Sequence, residues 1–327
     1  MGTQNGTSSS PNSVGWKGID PNDAEVVRLK EHLAANNGID GIDTVKPDDV
    51  ERAVELFHRD GFVVVTDVLS EEQIEVLATG CDEVISEILA LDDGRSGNRG
   101  SHRYSFGGSS MTRSQLHRPE WQMLLELPIV HQYLRAIFGG PDYTLRAASG
   151  DFCLPGAIQY QPLHSDAADW QPEGIMSKFS SFHDPRGRVS VRDLPCPYVC
   201  INFIPQDITR LNGPIRQVVG TQNSPAPIPS LDAEPEWMRL STVCPVSAGA
   251  MMIRDVRAWH GGTPNLSDTI RSIPNLEFYA PWFREPTVPG ISYDDFKKLS
   301  PEAQRAVRFS VADSSETLDT GVTMRAP

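Results

Sequence analysis

The sequence predicts an α+β protein with a mainly β core. Helix-type periodicity crowds the chain up to about residue 140, and β-branched and aromatic runs dominate after it. Neither GxGxxG nor GxxxxGK[ST] occurs, which argues against a dinucleotide-binding or phosphate-loop fold. Helices segregated from strands imply helices that buttress a sheet or barrel. No internal repeat is visible.

Taken in order, residues 1 to about 20 are rich in Ser, Gly, Thr and Asn and read as a flexible tail. Residues 21–327 are then expected to form one domain. Asp48 to Phe57 reads as a helix, because acidic residues lie in its first turn and Val50, Ala53, Val54 and Phe57 share a face. Gly61 stops it, and Phe62-Val63-Val64-Val65 follows as a strand. Ser70 to Gln73 has capping-box spacing and opens a helix running to Ile88. About 93–110 reads as a Gly- and Arg-rich loop, and 121–138 as one helix ending at Gly139-Gly140. Strands are expected at 143–148, 198–204, 250–253 and 273–279, with a lid-like loop at about 168–195 and a short helix at 301–309.

Composition narrows the function. Lys plus Arg is 29 against 43 Asp plus Glu, a formal charge of -14. Nucleic acid and anionic membranes recruit basic patches, so neither is expected as a partner. Five cysteines are too few for a disulfide scaffold in a chain of 327 residues and fit a reducing compartment. Cys196-x3-Cys200 is not zinc-finger spacing and sits in an apolar run. The N-terminus has no basic and apolar leader pattern, so a soluble cytoplasmic protein is expected.

Chemistry concentrates on His164, Asp166 and His260. In an extended segment, residues i and i+2 point to one side, so His164 and Asp166 can reach one ion. His260 follows an apolar run 96 residues later, from which a second strand can deliver it. Two imidazoles and one carboxylate make the facial triad of non-haem Fe(II) oxygenases, leaving positions for a cosubstrate and O2. The same ligand types suit a zinc hydrolase. With eight histidines in the chain, the pattern also allows a non-catalytic binding module. Arg271, eleven residues after His260, weighs against both alternatives. A guanidinium pairs with a carboxylate through two parallel hydrogen bonds, as the far end of 2-oxoglutarate requires.

The order His164-x-Asp166, His260, Arg271 resembles the phytanoyl-CoA dioxygenase family of Fe(II)/2-oxoglutarate oxygenases. Phe57-His58-Arg59-Asp60-Gly61-Phe62 with Val68-Leu69-Ser70-Glu71-Glu72 resembles the family's opening, Leu211-Asn212-Gly213-Pro214-Ile215 its turn, and Trp259-His260-Gly261-Gly262-Thr263-Pro264-Asn265 its distal-His loop. The resemblance covers about 45–285. It implies a double-stranded β-helix (jelly roll, cupin-like) with N-terminal helices packed on one sheet. It implies Fe(II) on His164, Asp166 and His260, and 2-oxoglutarate on Arg271. Gln161, Thr263 and Asn202 are further cosubstrate contacts on this reading, although relatives often place the hydroxyl at the position of Gly262. With O2, such an enzyme oxidises an unactivated C–H bond by hydroxylation, desaturation or cyclisation, releasing succinate and CO2.

Substrate clues lie in two loops. Arg103 and Tyr104 are expected at the site, whereas His102 reads as incidental. The lid carries Trp170, Phe179, Phe182, His183, Arg186, Arg188 and Arg192, a mix suited to an acidic, partly apolar molecule. A CoA thioester asks for a basic surface, so a secondary metabolite or an amino-acid-derived small molecule is expected instead.

Overall fold

Strands whose two faces carry different side chains organise the molecule. A computed structural model describes residues 14–107, 113–170 and 182–322. Its main sheet contains β1 (Thr44–Val45), β2 (Phe62–Val65), β3 (Arg103–Phe106), β4 (Thr144–Cys153), β5 (Tyr198–Phe203), β7 (Met251–Asp255) and β9 (Arg271–Tyr279). Their spatial order is β1-β2-β7-β5-β9-β4-β3, antiparallel throughout except for the β1–β2 pair. A second, shorter layer pairs β6 (Ile215–Gln217) with β8 (His260–Gly262), and single bridges extend it, among them His164–His260, Arg216–Thr242 and Ile208–Val246. Together the two layers form the double-stranded β-helix.

Alternation along each strand decides which side chains fill the space between the layers. Phe62, Val64, Ile204, Met252 and Ile273 meet Ile208 and Val246 there. Their sequence neighbours Val63, Val65, Met251 and Ile253 turn the other way, into the larger core under the helices. That core is covered by α2 (Val50–Asp60), α3 (Glu71–Leu89), α4 (Pro119–Leu125) and α5 (Pro128–Phe138), with a C-terminal helix (Pro301–Val307) beside them. In α3, Leu77, Val84, Ile85 and Ile88 are buried, each contributing about 1.5–3 kcal/mol relative to exposure. Gly61 ends α2 in the left-handed conformation at φ 82°, turning the chain directly into β2.

Several expectations change. Residues 14–20 are packed where a tail was expected: Trp16 is buried and its N–H donates to the Pro155 carbonyl at 2.7 Å. Residues 1–13 of the expected tail lie outside the described residues. A helix α1 (Ala24–Asn36) follows, absent from the sequence reading because only Val26 and Leu33 are buried on it. The expected helix over 121–138 is two helices. Pro128 lacks an N–H to continue α4 and instead starts α5, with Leu127 extended before it. Within the expected loop at 93–110, residues 103–106 form β3, and β4 runs five residues further than expected. Among the described residues no helix is long and apolar enough to cross a membrane.

Candidate active site

The three ligand-type residues meet because two short extended segments of the minor layer pair. His164 and His260 exchange both backbone hydrogen bonds at 3.0 Å, which puts their side chains on one side. The rings lie 4.2 Å apart between centroids. Asp166, two residues on, returns to that side. Its Oδ1 is 3.7 Å from His164 Nε2 and its Oδ2 is 3.4 Å from His260 Nε2. One donor atom from each residue falls within 4.8 Å of the others. A backbone carbonyl lies beside each Nδ1: His164 Nδ1 is 3.0 Å from the Pro162 oxygen, and His260 Nδ1 is 3.0 Å from the Ala258 oxygen. A carbonyl only accepts, so the His164 proton is assigned to Nδ1 and its Nε2 lone pair faces the carboxylate, while His260 Nδ1 lies between the Ala258 carbonyl and the Arg254 Nη1 donor, each at 3.0 Å. Such second bonds commonly orient metal-ligating histidines.

Charge fits the same use. Burial, and then the nearby Arg254, hold the His260 pKa well below its ordinary value, so the ring is neutral. Burial would raise the Asp166 carboxyl, but His260, Arg254 and His164 outweigh it and hold the group well below the usual carboxylate range. Two imidazoles and one carboxylate are the donor set of a divalent metal with open positions. Arg254, on β7, donates from Nη1 to Asp166 Oδ2 at 3.0 Å.

Strand register places a second group of cations. Cys153 on β4 pairs with Arg103 of β3 on one side and Arg271 of β9 on the other, so all three side chains share the inner face. Arg271 is buried and donates from Nε to the Gly213 carbonyl at 2.9 Å. Arg103 is buried too, and its Nη2 donates to the carbonyls of Gln159, at 2.8 Å, and Thr263. Burial and the neighbouring Arg103 both lower the Arg271 pKa. Among the described residues neither guanidinium has a carboxylate in ion-pair contact. Two buried like charges held by carbonyls and, for Arg271, the Cys153 side chain suit a dianion.

The remaining expected contacts divide. Gln161 accepts from the Gly262 N–H through Oε1 at 3.0 Å and so braces the β8 end. Asn202 lies on the inner face of β5, paired with Asn275 and Met252. Thr263 does not offer its hydroxyl to Arg271: the group donates to the Pro214 carbonyl at 2.6 Å. Tyr104 does not face the site either. It alternates with Arg103 into the helix-side core, stacks on Phe152 and donates to Asp92 at 2.7 Å.

Lid residues hold the base of their own loop. Asp169 accepts from the Ser190 hydroxyl and the Val191 N–H at 2.6 and 2.8 Å. Arg192 donates to Ser190 and, at 2.7 Å, to the Ser224 carbonyl. Trp170 is exposed, with His183 edge-on at 5.5 Å. Arg186 and Arg188 gather around Asp184. Phe182 is in register with Asp169, and Phe179 lies outside the described residues.

Sequence reading missed Arg254, Asp151, Arg146 and Glu277. The signal for Arg254 was a charge at the inward position after Met252, in a strand that is apolar up to that point. Asp151 shares the inner face with Cys153; burial raises its carboxyl, while Arg99 and Arg271 oppose the rise. Arg146 pairs with Glu277, and its guanidinium lies over Tyr198, whose hydroxyl donates to the Asp166 carbonyl at 3.0 Å.

Comparison with known proteins bears on the fold and the family. HygX from Streptomyces hygroscopicus, solved with nickel, 2-oxoglutarate and hygromycin B, has a TM-score of 0.50 at 16% identity, covering 75% of this chain and 92% of that one. AviO1 from Streptomyces viridochromogenes Tue57 is 23% identical, covering 72% of this chain and 97% of that one, with a TM-score of 0.48. Residues 57–273 match the family described as phytanoyl-CoA dioxygenase (PhyH). That span contains the triad, Arg103 and Arg271, and it sets aside the zinc-hydrolase and binding-module readings. The chain belongs to the phytanoyl-CoA dioxygenase (PhyH) family of 2-oxoglutarate-dependent non-haem iron oxygenases.

Proposed function

We propose that this enzyme oxidises an unactivated C–H bond of a polar small molecule in specialised metabolism, acting as one catalytic unit over 21–327. The observation that carries the reading is the pairing of a His164–Asp166–His260 donor set with two buried guanidiniums, Arg103 and Arg271, that lack a carboxylate partner among the described residues. Bound Fe(II), with 2-oxoglutarate and O2, supplies the oxidising chemistry, in which 2-oxoglutarate becomes succinate and CO2.

The protein's own residues position and enclose. Arg271 and Arg103 take the distal carboxylate of 2-oxoglutarate, which aims the 2-oxo acid end at the triad. Gln161 holds Gly262 beneath Arg103, and Asn202 offers its amide to the cavity. The described ends of the 168–195 loop are tied down by Asp169 with Val191 and by Arg192 with Ser224, which supports reading the loop as a lid that keeps water from the reacting carbon. Trp170 and Arg192 belong to those ends.

The substrate class follows from the inner face of the main sheet. Ser149, Asp151, Asn202, Asn275 and Glu277 fall on it by register, and the Ser149 hydroxyl donates to Asn275 at 2.6 Å. Such a surface favours a molecule bearing hydroxyl or amino groups, amino-acid-derived ones included, over a long acyl chain. That HygX takes hygromycin B on the same fold fits this class. All five cysteines are free, in keeping with the reducing cytoplasm.

The test is 2-oxoglutarate turnover across a panel of polar metabolites. Succinate should form only with Fe(II), 2-oxoglutarate and O2, and His164→Ala should abolish it. A product heavier by one oxygen means hydroxylation; one lighter by two hydrogens means desaturation or cyclisation. Succinate formation that survives His164→Ala, or that needs no iron, would sink the reading.

A further inference from the structure

Arg254 is a buried cation in a strand whose three preceding side chains are apolar. Met251 and Ile253 face the helix-side core, while Met252 and Arg254 face the space between the layers. Its side chain is 7% exposed. Burying a guanidinium is costly unless it is paired. Its Nη1 lies 3.0 Å from Asp166 Oδ2 and also 3.0 Å from His260 Nδ1. Its Nε is buried without a partner among the described residues. The strand therefore delivers a charge whose paired N–H is directed at one particular carboxylate oxygen. Asp166 Oδ1, which has no Arg254 contact, faces His164 Nε2 at 3.7 Å, while Oδ2 lies 3.4 Å from His260 Nε2 as well as on Arg254.

This matters for the number of free positions. A three-residue triad leaves three sites on an octahedral ion, two for a chelating 2-oxo acid and one for O2. A carboxylate that chelates through both oxygens would fill one of them. We infer that Arg254 restricts Asp166 to one metal-ligating oxygen and so keeps the O2 position open. Arg254 is thus a positioning residue acting through Asp166. The inference rests on the reading that the triad holds Fe(II).

The experiment uses full-length protein loaded with Ni(II) or, anaerobically, Fe(II), with 2-oxoglutarate added. In the wild-type Ni(II) crystal structure Asp166 should ligate through one oxygen, with the other on Arg254. Arg254→Met should keep one metal per chain but show both oxygens on the ion. Its Fe(II)–2-oxoglutarate charge-transfer band should bleach at least tenfold more slowly on mixing with O2. Arg254→Lys should restore single-oxygen ligation and most of the rate. A wild-type Asp166 bound through both oxygens would overturn the inference whatever the variants do. So would an Arg254→Met protein with single-oxygen ligation and an unchanged bleaching rate, or loss of metal from both variants. Wild-type protein that binds neither metal at the triad would instead remove the functional reading itself.

Discussion

Gly262 lies against the Arg103 guanidinium: a Cβ there would come within 2.6 Å of Nη1 and 3.3 Å of Gln161 Oε1. The space a side chain at 262 would take is filled by that cation. A hydrogen bond to a charged group contributes about 1.5–3 kcal/mol, a factor of roughly ten to a hundred and fifty. Arg271→Ala is therefore expected to raise the KM for 2-oxoglutarate by at least about tenfold, and Arg103→Ala by a similar factor, in steady-state succinate assays. Gly262→Ser should raise the same KM by displacing Arg103. The Arg103→Ala, Gly262→Ser pair should then fall short of the two single effects combined. Full additivity would mean that the clash is irrelevant. At this scale His164, Asp166, His260 and Arg271 were legible because their spacing is linear. Thr263 was not, because its hydroxyl is claimed by a carbonyl from a different segment.

Among the elements, α5 carries the clearest pH consequence. His131 is buried on it, with Nε2 2.7 Å from the Leu125 carbonyl and Nδ1 2.8 Å from the Tyr143 hydroxyl. The carbonyl assigns the proton to Nε2, so Nδ1 accepts from Tyr143. Burial is the main cause that holds this imidazole below its ordinary pKa. The unfolded chain takes up a proton near pH 6.5 that the folded one resists, so stability is full above about pH 6.5 and falls as pH drops below it. Each such histidine contributes a slope of up to about 1.4 kcal/mol per pH unit. Urea unfolding of the metal-free protein at pH 7.5 and 5.5 should show a smaller loss for His131→Gln than for wild type. An equal loss would contradict the assignment. The break between α4 and α5 was also encoded locally, in Pro128, but the surrounding apolar periodicity hid it. β3 was hidden for a different reason: in a Gly-rich stretch, only pairing with β4 makes Arg103–Phe106 a strand.

For the whole molecule, the site is a joint between layers. His164 and His260 belong to the minor layer, while Arg254, Arg271 and Arg103 come from the main sheet. A metal bound there would join the two minor-layer segments that carry His164, Asp166 and His260 in the folded state only, with the main sheet reaching it through Arg254 on Asp166. Ni(II) should therefore raise Tm, and 2-oxoglutarate should add a further rise only when Ni(II) is present. At a hundredfold excess over Kd the gain is about 2.7 kcal/mol, a shift of a few degrees by differential scanning fluorimetry. Asp166→Ala should remove both shifts, and a 2-oxoglutarate effect without metal would contradict the arrangement.

Chain order and short spacing were enough to give the segregated α+β layout, the helices α2 and α3 with β2 between them, the donor triad and the position of Arg271. Each depends on residues close in sequence or on a short recurrent pattern. The row Arg103–Cys153–Arg271, the inward Asp151 and the grip of Arg254 on Asp166 were decided by the fold alone. Register across seven strands sets which side chains share a face, and that register is fixed by side chains far apart in the chain.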